Sequence, residues 1–351
     1  MRIAVLLSGG VDSSVALHLV LREGGHDVTA FYLKIWLEEE LAFLGDCPWE
    51  EDMKYVRAVC EQARVPLQIV PLQSDYQERV VSAALAELKQ GRTPSPDILC
   101  NQQIKFGLFF DRIDASFERV VSGHYAQVEQ SNGLFLLKRS PDPVKDQTYF
   151  LSRLDQRQLG RLRFPIGHLT KTEVRKLARQ WELPNRDRKD SQGICFLGKI
   201  KYPEFVRFHL GERLGEIIDV DTGQKLGEHR GVWFHTVGQR QGLGLGGGPW
   251  YVVRKVLEGN RLYVSHADRY RSHARRQFTV SDTHWIAGAP TQKTDLQTKL
   301  RHAPHLENCT VRPIAGDRWE VLLEHTDQGI APGQSAVFYD GQICLGSGVI
   351  D

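Results

Sequence analysis

The 351-residue chain lacks several features that would narrow its class at once. Its six cysteines include no CxxC pair, so neither a zinc ribbon nor a dense disulfide framework is expected. The 45 Lys and Arg nearly balance the 43 Asp and Glu, and this net charge of +2 argues, as a total, against a nucleic-acid binder. No apolar run reaches the ~20 residues of a membrane span. The segment IAVLL after Arg2 is too short for a secretory signal core, so we expect a soluble cytoplasmic protein with reduced thiols.

The near-neutral total hides an uneven distribution of charge. Residues 38–61 hold eight acidic and two basic residues, whereas residues 153–189 hold eleven basic and four acidic ones. Residues 254–276 add seven basic residues against two acidic ones. A solvated face can carry one such run, but two basic stretches predict a polarised surface able to neutralise the phosphates of a nucleic acid.

Alternating strand and helix patterns occupy residues 1–150. Apolar runs predict strands, and helical patterns lie between them. The predicted strands are 3–7, 28–33, 67–70 and 119–122, and the predicted helices are 12–22, 49–63 and 76–88. This alternation predicts an α/β fold with a doubly wound parallel sheet.

The pattern changes after residue 150. Thr170 and Glu173 form a capping box, and a second helix is predicted over 202–210, so residues 151–212 are interpreted as a small helical module. Residues 213–351 contain short strands with frequent turn signals and predict a C-terminal β-barrel. Its predicted strands are 217–220, 231–237, 250–256, 261–264, 319–323 and 335–339.

The motif SGGVDSS at residues 8–14 joins the first strand to the first helix. Two glycines let the backbone approach a ligand closely, and the N–H groups at a helix start favour an anion. No Gly-Lys-Ser ending follows, so this is not a Walker loop. The motif resembles the pyrophosphate-binding loop of the PP-loop ATP pyrophosphatases, which implies an ATP site where Asp12 helps to hold Mg²⁺. A structural turn is the alternative.

Two cysteines lie in distinctive contexts. Cys100 is in GRTPSPDILCN (91–101), where the prolines stiffen the loop and Asp97 is able to cap a helix whose first turn would hold the thiol. Cys195 is in KDSQGICFLG (189–198), after a basic run that favours a thiolate. For both, the alternative is a packed, inert thiol. The other four are interpreted as structural: Cys47, Cys60, Cys309 and Cys344.

Six motifs occur in the order seen in the tRNA-specific 2-thiouridylases of the MnmA family. They are SGGVDSS, GRTPSPDILCN, GHY at 123–125, KDQTYFL at 145–151, KDSQGICFLG and VGQR at 237–240. The resemblance continues through PGQS at 332–335 and covers essentially the whole chain. It implies an adenylation domain over 1–150, a central tRNA-binding module over 151–212 and a β-barrel domain over 213–351.

The resemblance implies a tRNA sulfurtransferase. ATP would adenylate the C2 oxygen of the wobble uridine, releasing pyrophosphate and later AMP. Cys195 would carry a persulfide received from a sulfur-donor protein, and Cys100 would attack it, leaving 2-thiouridine and a Cys100–Cys195 disulfide. Asp97 fits an acid/base or orienting role at a uridine extruded from its stack. Lys, Glu and Gln tRNAs are implied as substrates, and we expect a monomer.

The resemblance also assigns residues to three surfaces. The ATP site would be lined by Leu6, Leu7, Ser8, Gly9, Gly10, Val11, Asp12, Ser13, Leu33 and Gly123. The target base would meet Ser95, Pro96 and Asp97. The tRNA would contact His124, Lys145, Asp146, Gln147, Arg301, His302 and Gln334. A satisfied turn histidine remains the alternative for His124, and a capping segment the alternative for residues 145–147.

Three other interpretations stay open. An iron–sulfur cluster would need Asp97, Cys100 and Cys195 to converge, although their spacing has no ferredoxin pattern. A PP-loop ligase acting on a small metabolite needs only SGGVDSS and leaves both cysteines idle. A non-catalytic tRNA-binding protein would have no ATP–pyrophosphate exchange.

Overall fold

The fold contains seventeen strands and a set of short helices within the described residues. The computed structural model describes residues 1–35, 48–190, 201–314 and 316–351. The strands are β1 (Arg2–Leu6), β2 (Asp27–Lys34), β3 (Leu67–Pro71), β4 (Phe117–Val121), β5 (Ala126–Ser131), β6 (Leu134–Arg139), β7 (Leu162–Arg163), β8 (Gly215–Asp219), β9 (Lys225–His229), β10 (Trp250–Val256), β11 (Arg261–His266), β12 (Arg275–Trp285), β13 (Thr294–Lys299), β14 (Glu307–Pro313), β15 (Trp319–Asp327), β16 (Ser335–Asp340) and β17 (Ile343–Ile350).

The helices lie mainly in the first 210 residues. They are α1 (Val11–Glu23), α2 (Pro48–Ala63), α3 (Gln73–Tyr76), α4 (Ser82–Lys89), α5 (Pro96–Leu99), α6 (Phe109–Arg112), α7 (Thr148–Leu151), α8 (Gln156–Arg161), α9 (Lys171–Gln180), α10 (Tyr202–Leu210) and α11 (Ala267–Tyr270). Two π-helical segments, Gln77–Val81 and Cys100–Leu108, continue α3 and α5, and 3₁₀ turns occur at Val232–Phe234 and Arg271–His273. No helix in these described ranges has the length and apolar character needed to cross a bilayer.

A five-stranded parallel sheet carries the first motif. Its order is β3-β2-β1-β4-β7, and β1 lies in the middle, with Ile3 opposite Val28 on β2 and Arg119 on β4. Strand β1 is an unbroken apolar run because both faces of a parallel sheet are covered. The predicted doubly wound parallel sheet is therefore confirmed, and the loop after β1 opens at its carboxyl edge, where such sheets bind ligands.

The predicted barrel is confirmed as a closed six-stranded sheet, and it is not the only sheet after residue 213. Strands β12-β15-β14-β13-β16-β17 close through pairing of β12 with β17. Strands β10-β11-β8-β9 form a separate four-stranded sheet between the helical region and the barrel. The β5–β6 hairpin joins the barrel through Cys344 opposite Leu137, so chain from the first 150 residues extends the last sheet.

The strand predicted over 231–237 is wrong: this stretch holds the 3₁₀ turn Val232–Phe234. The backbone N–H groups of Gly231 and Val232 donate to the side chains of His229 and Asn260 instead of a neighbouring strand. Gly231 also has a φ of 143°, which ends the preceding β9. The helix predicted over 202–210 and the capping box of Thr170 and Glu173 are confirmed.

Phe31 gives a direct test of the core beneath the parallel sheet. Its ring packs edge-on against Phe109 and Phe117 at 5.3 Å from each. We expect Phe31→Ala to lower the free energy of unfolding by about 3–5 kcal/mol, because it leaves a cavity. On the edge strand β3, Ile69 is 43% exposed. Ile69→Ala should therefore change the free energy of unfolding by about 0.5 kcal/mol or less. Urea denaturation of both variants measures this, and equal losses would contradict the packing described.

Candidate active site

The SGGVDSS loop turns between β1 and α1, and Asp52 and Arg188 pack closely against its Gly9. Gly9 has a φ of 76°, and Gly10 is the N-terminal cap residue of α1 without a side-chain cap. The hydroxyls of Ser13 and Ser14 donate to the carbonyl of Gly10 at 3.0 and 3.1 Å. They therefore stabilise the turn while the helix N–H groups stay available to an anion.

The side chain of Asn185 anchors this loop through two hydrogen bonds. Its side-chain amide donates to the carbonyl of Gly9 at 2.8 Å and to the hydroxyl of Ser14 at 2.9 Å. The side chain is buried, so the two hydrogen bonds are formed away from water. The sequence analysis missed this residue, because nothing in its local sequence distinguishes it from a turn asparagine.

Gly123 lies against the start of α1. A Cβ atom at this position would be 2.6 Å from the backbone N of Ser13 and 2.8 Å from the carbonyl carbon of Asp12. Only glycine permits this approach, which brings the residues after β4 to the start of α1. Leu33, near the end of β2, is partly buried and packs beside the same carboxyl edge.

A chain of charged groups leads away from Asp12. Lys171 Nζ lies 2.7 and 2.9 Å from the two oxygens of Asp12, and the hydroxyl of Tyr125 donates to the same carboxylate at 2.9 Å. Lys171 also lies 2.8 Å from Asp190, whose other oxygen accepts from Lys145 at 2.8 Å. Burial acts to raise the pKa of Asp190, but the hydrogen bonds from Lys145 and Lys171 outweigh it and hold that pKa below its usual range.

The loop before Cys100 is fixed by distant parts of the chain. The N–H of Thr93 donates to the carbonyl of Pro332 at 2.7 Å, and its hydroxyl lies 3.3 Å from that of Thr236. Lys255 Nζ donates to the carbonyl of His235 at 2.8 Å and to Thr93 Oγ1 at 3.5 Å. Burial lowers the pKa of Lys255 to about 8. Both the four-stranded sheet and the barrel therefore position the predicted base-binding loop.

Asp97 and Cys100 do not occupy the predicted helix positions. Ser95 is the N-terminal cap residue, Pro96 follows it, and Asp97 lies within the first turn of α5. Cys100 comes directly after α5, begins the π-helical segment and is 1% exposed. Such segments are frequent at functional sites, but this burial also fits the packed-thiol alternative. Cys195, and with it the predicted Cys100–Cys195 disulfide and the cluster alternative, lies outside the described residues.

His124 lies in the interior and not on a surface. Its ring packs edge-on between Phe106 and Phe164, and Nδ1 lies 2.7 Å from the hydroxyl of Ser122. Burial, with a contribution from Lys105, lowers the pKa of His124 to about 3, so the imidazole is neutral at physiological pH. These surroundings are those of the satisfied turn histidine left open by the sequence.

The other predicted tRNA residues divide by exposure. Lys145 and Arg301 are part-exposed cations held by Asp190 and Asp327, respectively. Gln147 pairs with the backbone of Tyr125 through both its amide oxygen and its N–H. The side chain of Asp146, in contrast, is completely buried and cannot touch a bound tRNA in this arrangement.

His302 is exposed and Gln334 is half-buried. The Nε2 of His302 lies 3.1 Å from the carbonyl of Asp146, and its ring lies 4.7 Å from that of Phe150. Gln334 sits in the turn before β16, where its N–H donates to the carbonyl of Ala331 at 3.2 Å. The predicted tRNA residues 145–147 and 301–302 are therefore brought together, whereas His124 lies apart in the apolar interior.

Three family models together match nearly the whole chain. They are described as a tRNA methyl transferase HUP domain (residues 1–199), a tRNA methyl transferase PRC-barrel domain (203–266) and an aminomethyltransferase beta-barrel domain (275–350). A relative from Bacteroides thetaiotaomicron, named tRNA-specific 2-thiouridylase MnmA 1, is 46% identical over 100% of this chain and 99% of its own length. A second, from Parabacteroides distasonis with the name tRNA-specific 2-thiouridylase MnmA, is 43% identical with the same coverage.

The chain belongs to the MnmA family of tRNA-specific 2-thiouridylases. The family models carry methyl transferase descriptions, but the curated relatives match over the whole chain and therefore decide the family. Among solved structures, the U34-tRNA thiolase NcsA from Methanococcus maripaludis is similar at a TM-score of 0.33 and 16% identity, covering 52% of this chain and 58% of its own. A 4-thiouridine synthetase in complex with RNA and ATP gives 0.34 and 15%, with 57% and 45% coverage. Likenesses of this strength say nothing about function.

Asn185→Asp tests how the loop of this MnmA-family protein is held. The variant keeps the shape but replaces a donor by an acceptor facing the Gly9 carbonyl, so we expect it to lower the free energy of unfolding by about 1–3 kcal/mol. Asn132→Asp, in the exposed turn between β5 and β6, is the matched control and should have little effect. Urea denaturation measures both, and an unchanged Asn185→Asp midpoint would refute the role given to this amide.

Proposed function

We propose that this protein is a tRNA 2-thiouridylase, a sulfurtransferase that converts the C2 oxygen of the wobble uridine to sulfur at the expense of ATP. The observation that carries the proposal is the full-length identity of 46% to a tRNA-specific 2-thiouridylase. The described geometry supports it, because a PP-loop at a helix N-terminus, the segment 95–100 and a basic helix face occur in one molecule.

ATP would bind with its phosphates over the loop at residues 8–14. The N-terminus of α1 supplies backbone donors, and Gly123 packs directly against the backbone of Asp12 and Ser13 at that terminus. The carboxylate of Asp12 has the hard oxygen ligands that Mg²⁺ prefers, so its chemistry fits the ion, although Lys171 now binds both oxygens. A bound Mg²⁺ would neutralise charge on the triphosphate, and Lys171 is placed to add a second positive charge.

The proposed transfer of sulfur to the uridine uses two thiols, those of Cys195 and Cys100. The C2 oxygen of the uridine attacks the α-phosphorus of ATP, and pyrophosphate leaves. The outer sulfur of a Cys195 persulfide, supplied by a donor protein, attacks C2, and AMP leaves with the original oxygen. The Cys100 thiolate then attacks the Cys195 sulfur, the sulfur–sulfur bond breaks, and its electron pair stays with the sulfur on C2. A dithiol reductant reduces the resulting disulfide.

The target base would lie at the start of α5. Ser95 and Asp97 supply polar groups there, and Asp97 lies in the helical turn that directly precedes Cys100. The base must leave its stack to arrive at this point, as in other enzymes that act on a nucleobase. Because Cys100 is buried, we propose that binding of the tRNA accompanies its exposure.

The tRNA phosphates would meet the basic residues predicted from the sequence. A cavity of about 330 Å³ on α9 is lined by Lys171, Thr172, Arg175, Lys176 and Arg179. Of the four cations in this lining, Lys171 and Arg175 are paired with Asp190, so the exposed Lys176 and Arg179 are the ones that would meet a phosphate backbone. This face begins at Lys171, so the basic surface reaches the ATP loop.

Replacing the two proposed reactive cysteines should separate adenylation from sulfur transfer. With Cys100→Ala or Cys195→Ala we expect no 2-thiouridine in tRNA incubated with ATP and a persulfide donor, while tRNA-stimulated ATP–pyrophosphate exchange persists. Nucleoside analysis by mass spectrometry measures the product. Cys60→Ala is the control, because burial raises the pKa of Cys60 to about 11 and makes it a poor nucleophile.

Several outcomes of that experiment would change the proposal. Full thiolation by Cys195→Ala would exclude a route through a Cys195 persulfide. A wild-type protein that forms no 2-thiouridine, and whose ATP–pyrophosphate exchange is stimulated by a small metabolite and not by tRNA, would favour the ligase. Iron and sulfide bound by anaerobically purified protein, together with loss of both in Cys100→Ala, would favour the cluster alternative. An absence of exchange in the wild-type protein would leave only tRNA binding.

Asp12→Ala should weaken the use of Mg²⁺ and ATP. We expect the KM for MgATP in pyrophosphate exchange to rise about tenfold or more, because a carboxylate at the helix start is lost. Glu23→Ala, at the other end of α1, removes surface contacts with Arg163 and His26 and should leave that KM unchanged. An equal KM for MgATP in Asp12→Ala and Glu23→Ala would show that Asp12 does not contribute to the ATP site.

A further inference from the structure

A fully buried ion pair joins the barrel to the segment that precedes α7. Lys299, the last residue of β13, has its Nζ 2.9 Å from Oδ2 of Asp146. Both side chains are 0% exposed. Arg139, at the end of β6, donates its Nε to the same oxygen at 3.3 Å.

The carboxylate of Asp146 is further satisfied by its own segment. The hydroxyl of Thr148 donates to it at 2.9 Å, and the N–H of Ser140 donates at 3.3 Å. Tyr339 on β16 closes the site: its hydroxyl lies 3.2 Å from that of Thr148, and its ring centre lies 5.6 Å from Lys299 Nζ. Strands β6, β13 and β16 therefore converge on one carboxylate.

Such a pair is poorly explained as a device for stability alone. Desolvating two charges costs about as much as their attraction returns, and apolar replacements of similar volume are often neutral or stabilising. The best-attested use of a buried polar group is to fix one arrangement of the elements around it. The elements fixed here are those that carry the proposed tRNA contacts.

Lys145 and Gln147 flank Asp146 in the chain, and Arg301 and His302 follow Lys299 closely. His302 also closes the link through Nε2, 3.1 Å from the carbonyl of Asp146. A shift of the pair would therefore move both segments together. Lys145 and Arg301 are the part-exposed cations that these segments present.

We propose that Lys299 is a positioning residue for the tRNA, and that Asp146 acts with it instead of touching the RNA. The buried pair sets the distance between Lys145 and Arg301, so that both cations meet phosphates of one bound tRNA. This inference rests on the proposed function, since it concerns the binding of that substrate.

The experiment compares the neutral pair Asp146→Asn/Lys299→Met with the wild-type protein. We expect its Kd for unmodified tRNA to rise about tenfold, and the slope of log Kobs against log salt to become shallower by about 1–2, because one or two phosphate contacts are lost. The Kd for ATP and the kcat at saturating tRNA should stay within about threefold, since the PP-loop contacts neither residue.

Two controls separate positioning from plain destabilisation. Val311→Ala removes apolar volume from the same barrel and should lower stability without changing the salt slope. Lys145→Ala in the wild-type background should make the slope of log Kobs against log salt shallower by about 1. The same substitution added to Asp146→Asn/Lys299→Met should change that slope by less than about 1, because Lys145 would already be displaced. Thr148→Val keeps both charges and removes the hydroxyl that bonds to Asp146 and to Tyr339. It should show a smaller change in the same direction and serves if the double variant does not fold.

The outcomes have distinct meanings. A wild-type salt slope in Asp146→Asn/Lys299→Met, or in Thr148→Val where the double variant does not fold, overturns the inference, even if stability falls. A fully additive effect of Lys145→Ala also overturns it, because the pair would then act elsewhere. Failure of the wild-type protein to bind or thiolate tRNA would instead refute the proposed function.

Discussion

The contact of Lys171 with Asp12 is the interaction on which the arrangement of the site depends. It ties the start of α1 to the start of α9, which are 159 residues apart in the chain. The same ammonium reaches Asp190, and so connects the phosphate loop to the last described residue before Cys195. Lys171 pairs with Asp12 in a part-buried place, and Asp190 is held by Lys145 and Arg175 as well. The SGGVDSS loop, the start of α9 and Asp190 are thus held together by Lys171.

The sequence predicted those parts of the fold whose signals are local. The apolar run of β1, the capping box at Thr170 and the glycine loop each depend on neighbours within a few residues. The hairpin β5–β6 was missed although Asn132 and Gly133 give a turn signal with positive φ at both positions. The Gly231 strand was predicted wrongly because the side chains that take its backbone donors, above all Asn260, are remote in sequence.

The candidate site was predictable only through its motifs. Spacing placed Asp12, Gly123 and the segment 95–97 at strand and helix ends, and the structure brings the first two together. Asn185 and Lys299 had no local signal, since their partners lie 176 and 153 residues away. The roles of Asn185 and Lys299 can be recognised only in the folded structure, because they follow from burial and hydrogen-bond partners and not from a local sequence pattern.

Asp146 illustrates what a motif transfers from one protein to another. The run KDQ includes a carboxylate that is completely buried and accepts hydrogen bonds from Lys299, Arg139, Thr148 and Ser140. The same logic applies to His124, whose neutral ring supports the end of β4 from within. A substrate surface therefore depends on two kinds of residue, those that touch the ligand and those that fix the backbone beneath them. Burial and hydrogen-bond partners distinguish the two: Lys145 and Arg301 are part-exposed cations, whereas Asp146 and Lys299 are buried against each other.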